Sequence, residues 1–253
     1  MIEIRDLRAG YGKKEILHSV TLDIKNGSIL SVVGANGCGK STLLKALSGI
    51  IKPSSGKILL DGEKFSTLTR KSRAVRVAYL PQDRPVPEMT VADLVLKGRF
   101  PHLSFGHSYS LDDISASELA IKKLGLESIS HVPLAELSGG MRQKAYVAMA
   151  LAQDADHILL DEPFTHLDIP HRYAMSDLMR SLADEGRAVA AVMHELSDAL
   201  AISDRLAVME DGKVIFTGTP DEVLETDVLP RVFGVRYRKI PYDGKVSFYP
   251  ERI

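Results

Sequence analysis

The chain has 253 residues, 45% of them hydrophobic and 26% charged, and its 32 Lys and Arg nearly balance 33 Asp and Glu, for a net charge of −1. This composition is typical of a globular protein with one large or two modest domains, and it excludes a disordered, collagen-like or polyanion-coating chain. No apolar run approaches the roughly 18 residues that a membrane-spanning helix needs. The lack of a basic and apolar leader and the single cysteine, Cys38, predict the reducing cytoplasm.

Strands and helices alternate over most of the chain. Two strands flank the turn residues Asn26-Gly27, which predicts a hairpin, and a glycine-rich loop then leads into a helix. Capping boxes at Thr90 and Ser110 indicate two helices in a mainly helical stretch. A turn at Asp211-Gly212 and a further capped helix close the pattern. In chain order, strands are predicted over 16–24, 28–33, 57–60, 74–80, 157–160 and 188–193, and helices over 41–50, 91–98, 110 to about 125, 141–152, 170 to about 186, and after 194.

This order predicts the α/β fold class, with a mostly parallel core sheet covered on both faces and preceded by an N-terminal antiparallel β portion. Residues 83–136 are predicted to be a helical insert within a single domain, with 1–82 and 137–253 as its core. The tail 235–253 is expected to be a hairpin around Asp243-Gly244, packed either on the fold or against a partner.

A phosphate-binding loop is predicted where the second strand gives way to a helix. Its residues fit G-x-x-x-x-G-K-[ST] and continue into a threonine: Gly34, Ala35, Asn36, Gly37, Cys38, Gly39, Lys40, Ser41 and Thr42. Glycines let several backbone N–H groups converge on phosphate oxygens, and the helix adds its positive end. Lys40 is expected to neutralise the β and γ phosphates of a nucleotide, and Ser41 to bind Mg²⁺. The alternative is a glycine-rich turn that binds nothing.

Two adjacent carboxylates follow the apolar strand over 157–160. Asp161 is expected to orient Mg²⁺ through water, and Glu162 to polarise the water that attacks the nucleotide. An Asp-Glu pair at a strand end is otherwise an ordinary solvated loop entry. Its presence in one chain with the phosphate loop favours the catalytic interpretation.

A second glycine pair opens a later helix and presents free N–H groups to an anion. The residues of this stretch are Leu137, Ser138, Gly139, Gly140 and Met141. With these motifs in this order from Tyr11 to at least Pro220, the sequence resembles the ATP-binding cassette (ABC) ATPases, in which the stretch is the signature motif. The resemblance implies a P-loop ATPase that binds ATP and Mg²⁺ and works as a homodimer. Each ATP then lies between the phosphate loop of one subunit and the signature loop of the other.

The resemblance also implies roles for four single residues. Tyr11 matches the aromatic residue that stacks on adenine, Gln82 the glutamine that senses Mg²⁺ and the γ phosphate, and His194 the histidine that contacts the γ phosphate. Asp168 matches a loop that communicates across the subunit interface. The residues alone allow structural alternatives: Tyr11 packed on a hairpin edge, Gln82 ending a strand, an incidental His194, and Asp168 capping a helix.

A short stretch of the insert resembles one particular group within this family. Residues 97–102, Lys-Gly-Arg-Phe-Pro-His, resemble the Gly-Arg-Tyr-Pro-His stretch of ATPases that serve iron-siderophore, haem and cobalamin importers. This implies a peripheral subunit on the cytoplasmic face of the inner membrane that powers uptake of an iron-siderophore-type chelate. Its implied partners are two transmembrane permease subunits and, indirectly, a substrate-binding protein, with haem, cobalamin or a metal ion as alternative cargo. The structural alternative is a helix end broken by Pro101, with Arg99 solvated.

Two other functions compete with transport. One is a soluble cassette protein that acts on nucleic acid or ribosomes, but the basic cluster at 236–239 is too small to predict a nucleic-acid surface, so no direct nucleic-acid partner is expected. The other is a redox-gated ATPase using Cys38, which requires a thiol pKa lowered by the helix end and Lys40. The residues alone do not decide import against export.

Overall fold

The computed structural model describes residues 1–103, 106, 108–165, 167–242 and 245–252. Within them the chain forms two β-sheets, a separate two-stranded hairpin, and α-helices that mostly connect the strands. The strands are β1 (Ile2–Tyr11), β2 (Lys14–Ile24), β3 (Ser28–Gly34), β4 (Ser55–Leu60), β5 (Glu63–Lys64), β6 (Val77–Leu80), β7 (His157–Asp161), β8 (Ala188–Val192), β9 (Arg205–Glu210), β10 (Lys213–Gly218), β11 (Val235–Tyr242) and β12 (Lys245–Arg252). The α-helices are α1 (Lys40–Leu47), α2 (Arg70–Arg76), α3 (Val91–Lys97), α4 (Leu111–Lys123), α5 (Gly139–Ala152), α6 (Ile169–Asp184), α7 (Leu196–Ile202), α8 (Pro220–Leu224) and α9 (Val228–Phe233).

The larger sheet has the strand order β10-β9-β3-β8-β7-β6. Its neighbouring strands run parallel except for the antiparallel pair β9 and β10. Strands β7 and β8 are buried along their whole length, as parallel strands covered on both faces must be. The predicted α/β class with a mostly parallel core sheet is therefore confirmed.

The smaller sheet has the order β2-β1-β4-β5 and is antiparallel throughout, which confirms the predicted N-terminal antiparallel portion. Its central strand, β1, was not predicted from the sequence. The register of β1 against β2 shifts between Ile4 and Leu7, and Asp6 has a φ of +50° in the left-handed region. Such a bulge breaks the period-two alternation of buried residues by which a strand is recognised.

The predicted hairpin around Asn26-Gly27 is wrong. Strand β2 pairs with β1 in the smaller sheet, whereas β3 lies in the larger sheet between β8 and β9. The physical reason is that residues 29–33 are buried on both faces, so β3 needs a neighbour on each side and a cover on each face. The turn is real, but it carries the chain from one sheet to the other.

The capping boxes predicted at Thr90 and Ser110 are both present, and a third caps α8 at Thr219. Two boundaries differ from the prediction. The helix predicted over 41–50 ends at Leu47, and Ile50 is exposed instead of buried. The strand predicted over 74–80 begins only at Val77, because α2 occupies the preceding residues and is capped by a Thr69 side chain that accepts from the Ser72 amide.

Two hydrophobic clusters cover the two faces of the larger sheet. Alternate residues of β3 divide between them, with Ile29 and Val33 in one cluster and Leu30 and Val32 in the other. Helices α3 to α9 contribute to the first cluster, and α1 with the smaller sheet contributes to the second. The sheet is thereby held between layers, with its carboxyl-end loops left accessible.

Strands β11 and β12 pair with each other in the predicted tail hairpin, although the turn at Asp243-Gly244 lies outside the described residues. Val235, Tyr237 and Phe248 pack against the first hydrophobic cluster, so the hairpin lies on the fold. No α-helix in the described part of the chain is long and apolar enough to cross a membrane.

A fully buried histidine begins β7. The Nε2 atom of His157 lies 2.9 Å from an Asp61 carboxylate oxygen, while its Nδ1 has no hydrogen-bond partner among the described residues. Burial lowers the pKa of His157 from its usual 6.5, and the neighbouring Asp61 opposes this only in part. Burial would raise the pKa of Asp61, but hydrogen bonds from the terminal ammonium, His157 and Arg76 lower it.

These shifts predict a loss of stability in weak acid. Since the pKa of His157 is lowered in the folded state, the unfolded chain binds more protons below about pH 6.5, and the free energy of unfolding falls by at most about 1.4 kcal/mol per pH unit for this group. Urea unfolding between about pH 7.5 and about pH 5.5 measures the slope. The variant His157→Gln should flatten it, whereas His131→Gln at an exposed position should not. Equal slopes in the wild type and His157→Gln would contradict the assignment. The Asp61 contribution is lost only at lower pH, below its usual pKa of 3.8.

Candidate active site

Four loops converge at one edge of the larger sheet. The carboxyl ends of parallel strands meet there, and β3, β6, β7 and β8 are followed by the phosphate loop (34–42), Gln82, Glu162 and His194. Residues from all four loops border one cleft of about 480 Å³. Its lining is Ile16, Asn36, Gly37, Gly39, Lys40, Ser41, Thr42, Gln82, Glu162 and His194. The structure therefore brings together the main residues of the predicted ATP site.

Lys40 is the first residue of α1 and is largely buried. Its ammonium Nζ donates to the carbonyl oxygens of Gly34 and Ala35 at 2.8 and 3.0 Å, so the side chain curls back over the phosphate loop. An ionised phosphate oxygen is a stronger acceptor for an ammonium group than a neutral carbonyl oxygen. The geometry suits the predicted role of Lys40 in neutralising phosphate charge.

Asp161 ends β7 as a buried carboxylate with two hydroxyl donors. Ser41 Oγ donates to its Oδ1 at 3.0 Å, and Tyr79 Oη donates to its Oδ2 at 3.2 Å. Burial raises the pKa of Asp161, and the two hydrogen bonds counteract that effect. Burial and the nearby Asp161 also raise the pKa of Tyr79, which stays a phenol and a donor.

The pair of Ser41 and Asp161 fits a Mg²⁺ site. Both supply the hard oxygen ligands that Mg²⁺ prefers. No group of three or more His, Cys, Asp or Glu able to hold a metal occurs among residues 1–103, 106, 108–165, 167–242 and 245–252. A donor set this small matches a cation that is held jointly by protein and nucleotide phosphates.

Glu162 occupies a strained backbone position beside the cleft. Its φ of +53° is left-handed, a conformation that costs a non-glycine residue about 1–2 kcal/mol. Its amide N donates to Val192 O at 3.1 Å, and Gln82 Nε2 and Thr165 Oγ1 donate to its Oε2 at 2.9 and 3.1 Å. Strain maintained by the surrounding structure is typical of functional positions. The two donors orient the carboxylate, and Oε1 accepts no hydrogen bond from the described residues.

Two residues that are predicted to contact ATP have exposed side chains. His194 borders the cleft with 61% of its side chain exposed, and its Nδ1 is 3.9 Å from a Glu195 carboxylate oxygen. Tyr11 ends β1 opposite Lys14, half exposed, next to the turn of the hairpin that contributes Ile16 to the lining. Tyr11 is outside that lining, and its stacking on adenine stays a prediction.

The signature loop (137–141) does not border this cleft. Ser138 caps α5, and its side chain accepts a hydrogen bond of 3.3 Å from the Met141 amide. Ser138 and Gly139 are exposed. The free N–H groups at this helix start are therefore available to a ligand outside the cleft of their own subunit.

Asp168 caps α6, as its structural alternative predicted. Its carboxylate accepts from the His171 amide at 3.1 Å and also pairs with the His171 ring. The hydrogen bond from the His171 amide, then that from the ring, lowers the pKa of Asp168. The neighbouring His166 lies outside the described residues, and the interface role of Asp168 stays a prediction.

Cys38 is a buried residue of the phosphate loop. Burial raises the pKa of its thiol, and the opposing attraction of Lys40 does not overcome that effect. A redox-gated ATPase would need the thiol pKa to be lowered, so the geometry favours Cys38 as a small packing residue.

Sequence reasoning missed three residues of the site: Ile16, Tyr79 and Thr165. Tyr79 is the penultimate residue of a predicted strand, where an aromatic residue is ordinary, and nothing local relates it to Asp161. Thr165 follows Glu162 by three residues, a spacing that could have suggested a hydroxyl folding back onto the carboxylate.

Comparisons with known proteins agree with this geometry. The family model described as ABC transporter matches residues 17–165. The ferric enterobactin transport ATP-binding protein of Escherichia coli is 36% identical over 232 residues, which are 91% of this chain and 86% of that protein. A petrobactin import ATP-binding protein of Bacillus anthracis is 37% identical over 234 residues, 92% of this chain and 86% of that protein.

A solved structure shows the same fold. A dimeric ATP-binding cassette in a post-hydrolysis state, bound to ADP and Pi, aligns with a TM-score of 0.76 at 27% identity over 87% of this chain and 99% of that chain. The range matched by the family model contains the lining residues of the cleft from Asn36 to Glu162. The chain therefore belongs to the ABC transporter family and is an ATP-binding subunit of that family, an ATPase.

Proposed function

We propose that this ATPase powers the import of an iron-siderophore-type metal chelate, as a homodimer bound to two permease subunits at the cytoplasmic face of the membrane. The observation that carries the proposal is the segment 97–102. Buried polar contacts hold this segment against α4 and α5, while its one aromatic ring is exposed. The two relatives above, named for ferric enterobactin transport and petrobactin import, support the same cargo class. Haem, cobalamin or a metal ion remain the alternative cargoes, and a substrate-binding protein is the expected indirect partner.

The residues of the cleft divide the work of hydrolysis. Lys40 and the N–H groups of the phosphate loop bind the phosphates, and His194 donates to the γ phosphate. Ser41, Asp161 and Gln82 would hold Mg²⁺, which would neutralise phosphate charge when bound. Glu162 accepts the proton of the water that attacks the γ phosphorus, while the bond to the β,γ-bridging oxygen breaks and ADP leaves.

The placement of the signature loop supports the proposed homodimer. The loop does not border the cleft of its own chain, so its N–H groups would bind the nucleotide of a second copy. ATP held between the two copies stabilises the closed dimer by binding it more tightly than the open one, and hydrolysis removes that preference.

Arg99 anchors the 97–102 segment to the protein interior. Its Nε donates to Asp113 at 2.9 Å and its Nη1 to Ala152 O at 2.9 Å. Both partners of the ion pair are about nine-tenths buried, at 11% and 10% side-chain exposure. The alternative of a solvated Arg99 is therefore wrong. The arginine ties the start of α4 and the end of α5 to this segment.

The remaining residues of the segment turn its aromatic ring outward. Gly98 lies so close to α5 that a Cβ atom would sit 2.2 Å from Met149 O, and His102 Nε2 is 2.8 Å from Gln153 O. Phe100, between them, is 71% exposed. A large apolar side chain on a rigid, polar-anchored segment is typical of an interface contact. We infer that Phe100 inserts into a cytoplasmic segment of the permease.

The variant Phe100→Asp should reduce co-purification with the permease from membranes by at least about tenfold, because it places a charge in an apolar contact. Its ATPase activity in solution should stay unchanged, since Phe100 does not border the cleft. The matched control is Leu119→Asp, which replaces an exposed apolar residue on α4. Equal losses in both variants would show that Phe100 has no special role in docking.

The cargo is tested by co-purification from membranes, identification of the bound permease by mass spectrometry, and uptake of labelled ferric siderophore, haem and cobalamin. Uptake of ferric siderophore that depends on Glu162 supports the proposal. Uptake of haem or cobalamin alone would replace the cargo, and an ATPase that stays in solution without a membrane partner would overturn the importer function.

A further inference from the structure

A buried amide side chain connects the two loops that carry Gln82 and Glu162. Gln143 lies in the second turn of α5 and is 7% exposed. Its Oε1 accepts from Arg84 Nη1, and its Nε2 donates to Pro163 O at 2.9 Å. A buried amide is tolerated when both ends are satisfied, and here both partners belong to loops at the cleft.

Arg84 fastens the loop that carries Gln82. Its Nε donates to Pro81 O at 2.6 Å, and its guanidinium lies over the Tyr146 ring at 5.4 Å from the centroid. Tyr146, also on α5, donates its hydroxyl to Pro85 O. The backbone on both sides of Gln82 is therefore attached to α5, through Arg84 and Tyr146.

Pro163 fastens the loop that carries Glu162. It follows the residue whose left-handed φ of +53° must be maintained by its surroundings. The Glu162 amide donates to Val192 O at the end of β8. The carbonyl of the following residue, Pro163, accepts from Gln143 Nε2. One side of this turn is thus held by the sheet and the other by α5.

The two loops also meet directly, since Gln82 Nε2 donates to Glu162 Oε2 at 2.9 Å. Hydrogen bonds and the intervening backbone therefore close a ring through Gln143, Arg84, Gln82, Glu162 and Pro163. Helix α5 begins at Gly139, in the signature loop, four residues or about 6 Å before Gln143. A movement of the signature loop should also move Gln143, because the end of the loop and Gln143 lie on the same helix.

We propose that Gln143 is a positioning residue that couples the two ATP sites of the dimer. When the signature loop of one chain engages the ATP of its partner, the shift of α5 is passed by the Gln143 amide to Pro163 and Arg84, and so to Glu162 and Gln82 in the cleft of the same chain. Each site then becomes competent when the other is filled, which is a coupling free energy between sites. The inference rests on the proposed homodimer.

The test measures ATP hydrolysis against ATP concentration for the full-length protein. The variant Gln143→Leu should lower kcat by about tenfold or more, because a small misplacement of Glu162 is costly, while KM for ATP changes less than about threefold. The Hill coefficient should fall from above 1 to about 1. The variant Gln143→Glu keeps an acceptor for Arg84 but cannot donate to Pro163, so it breaks only one of the two hydrogen bonds. It should show the same loss of kcat and of cooperativity.

The control is Gln153→Leu. Gln153 caps the other end of α5 and is bonded through its Nε2 to Ala74 O and Val77 O, with no link to Glu162. It should leave the Hill coefficient unchanged. The melting temperature of each variant identifies any loss of folding, and Gln143→Glu carries the test if Gln143→Leu does not fold.

Three results would overturn the coupling: a wild-type Hill coefficient of about 1, unchanged kcat and cooperativity in both Gln143 variants, or an equal loss in Gln153→Leu. Failure of the proposed homodimer is seen separately, by size-exclusion chromatography of Glu162→Gln with ATP. If that dimer forms and cooperativity ignores Gln143, the homodimer stands and the coupling is wrong.

Discussion

Replacing Glu162 by glutamine is expected to slow ATP hydrolysis by at least about 100-fold, the usual loss when a general base is removed. The amide has nearly the shape of the carboxylate but cannot accept the proton of the attacking water. Lys40 and the phosphate loop are untouched, so ATP binding should be retained. Because the nucleotide then persists between the two copies, an ATP-bound dimer should accumulate.

Single-turnover hydrolysis and size-exclusion chromatography with ATP measure the two effects of Glu162→Gln. Glu195→Gln is a suitable control, because this neighbouring carboxylate is exposed and makes no hydrogen bond to Gln82. Near-normal turnover in Glu162→Gln would remove Glu162 from the mechanism. Slow turnover without a dimer would keep the catalytic role and contradict the homodimer.

The second large effect is expected at Gly212, in the turn between β9 and β10. Its φ is +75°, and a Cβ atom there would lie 2.0 Å from Ile16 O. Its amide donates to Cys38 O at 3.0 Å, and its carbonyl accepts from the His18 amide at 2.8 Å. Gly212 therefore joins the phosphate loop to β2, and no side chain fits between them.

The variant Gly212→Ala should lose at least about 2 kcal/mol of stability, because left-handed strain is added to a clash with backbone. Its affinity for ATP should also fall, since the phosphate loop must move away from β2. Gly62→Ala is the matched control: it lies in another Asp-Gly hairpin turn, with a φ of +83° and no atom within 4 Å of the added Cβ. It should cost only about 1 kcal/mol and leave ATP binding intact.

Urea unfolding and titration with a fluorescent ATP analogue measure both variants. If Gly212→Ala and Gly62→Ala behave alike, the backbone approach between the turn and β2 has no energetic importance. If only stability changes, the bond to Cys38 does not shape the phosphate loop.

The site could be predicted from the sequence where its chemistry is local. The phosphate loop and the Asp161-Glu162 pair are short patterns next to strands, and parallel strands bring their carboxyl ends together wherever the chain places them. Tyr79 and Gln143 could not be predicted in this way. Each is an ordinary residue of its own element, and its importance comes from a partner 82 or 20 residues away.

The fold could be predicted in its class but not in all of its pairings. The residues of Asn26-Gly27 indicate a turn correctly, yet a turn does not determine which strands pair. The deciding property is the burial of β3 on both faces, which requires a central place in a sheet assembled from distant segments. Strand β1 was missed for a local reason, the bulge around Asp6.

The two carbonyl oxygens that hold the Lys40 ammonium also set a threshold for ligands. An incoming ligand gains binding free energy from Lys40 only if its acceptor atom binds the ammonium more strongly than the two neutral carbonyl oxygens at 2.8 and 3.0 Å do. The multiply charged end of a nucleoside triphosphate exceeds that threshold, whereas adenosine, which has the same base and no phosphate, offers nothing in exchange. The loop therefore discriminates among cellular adenine compounds by charge, before any residue of a second copy takes part.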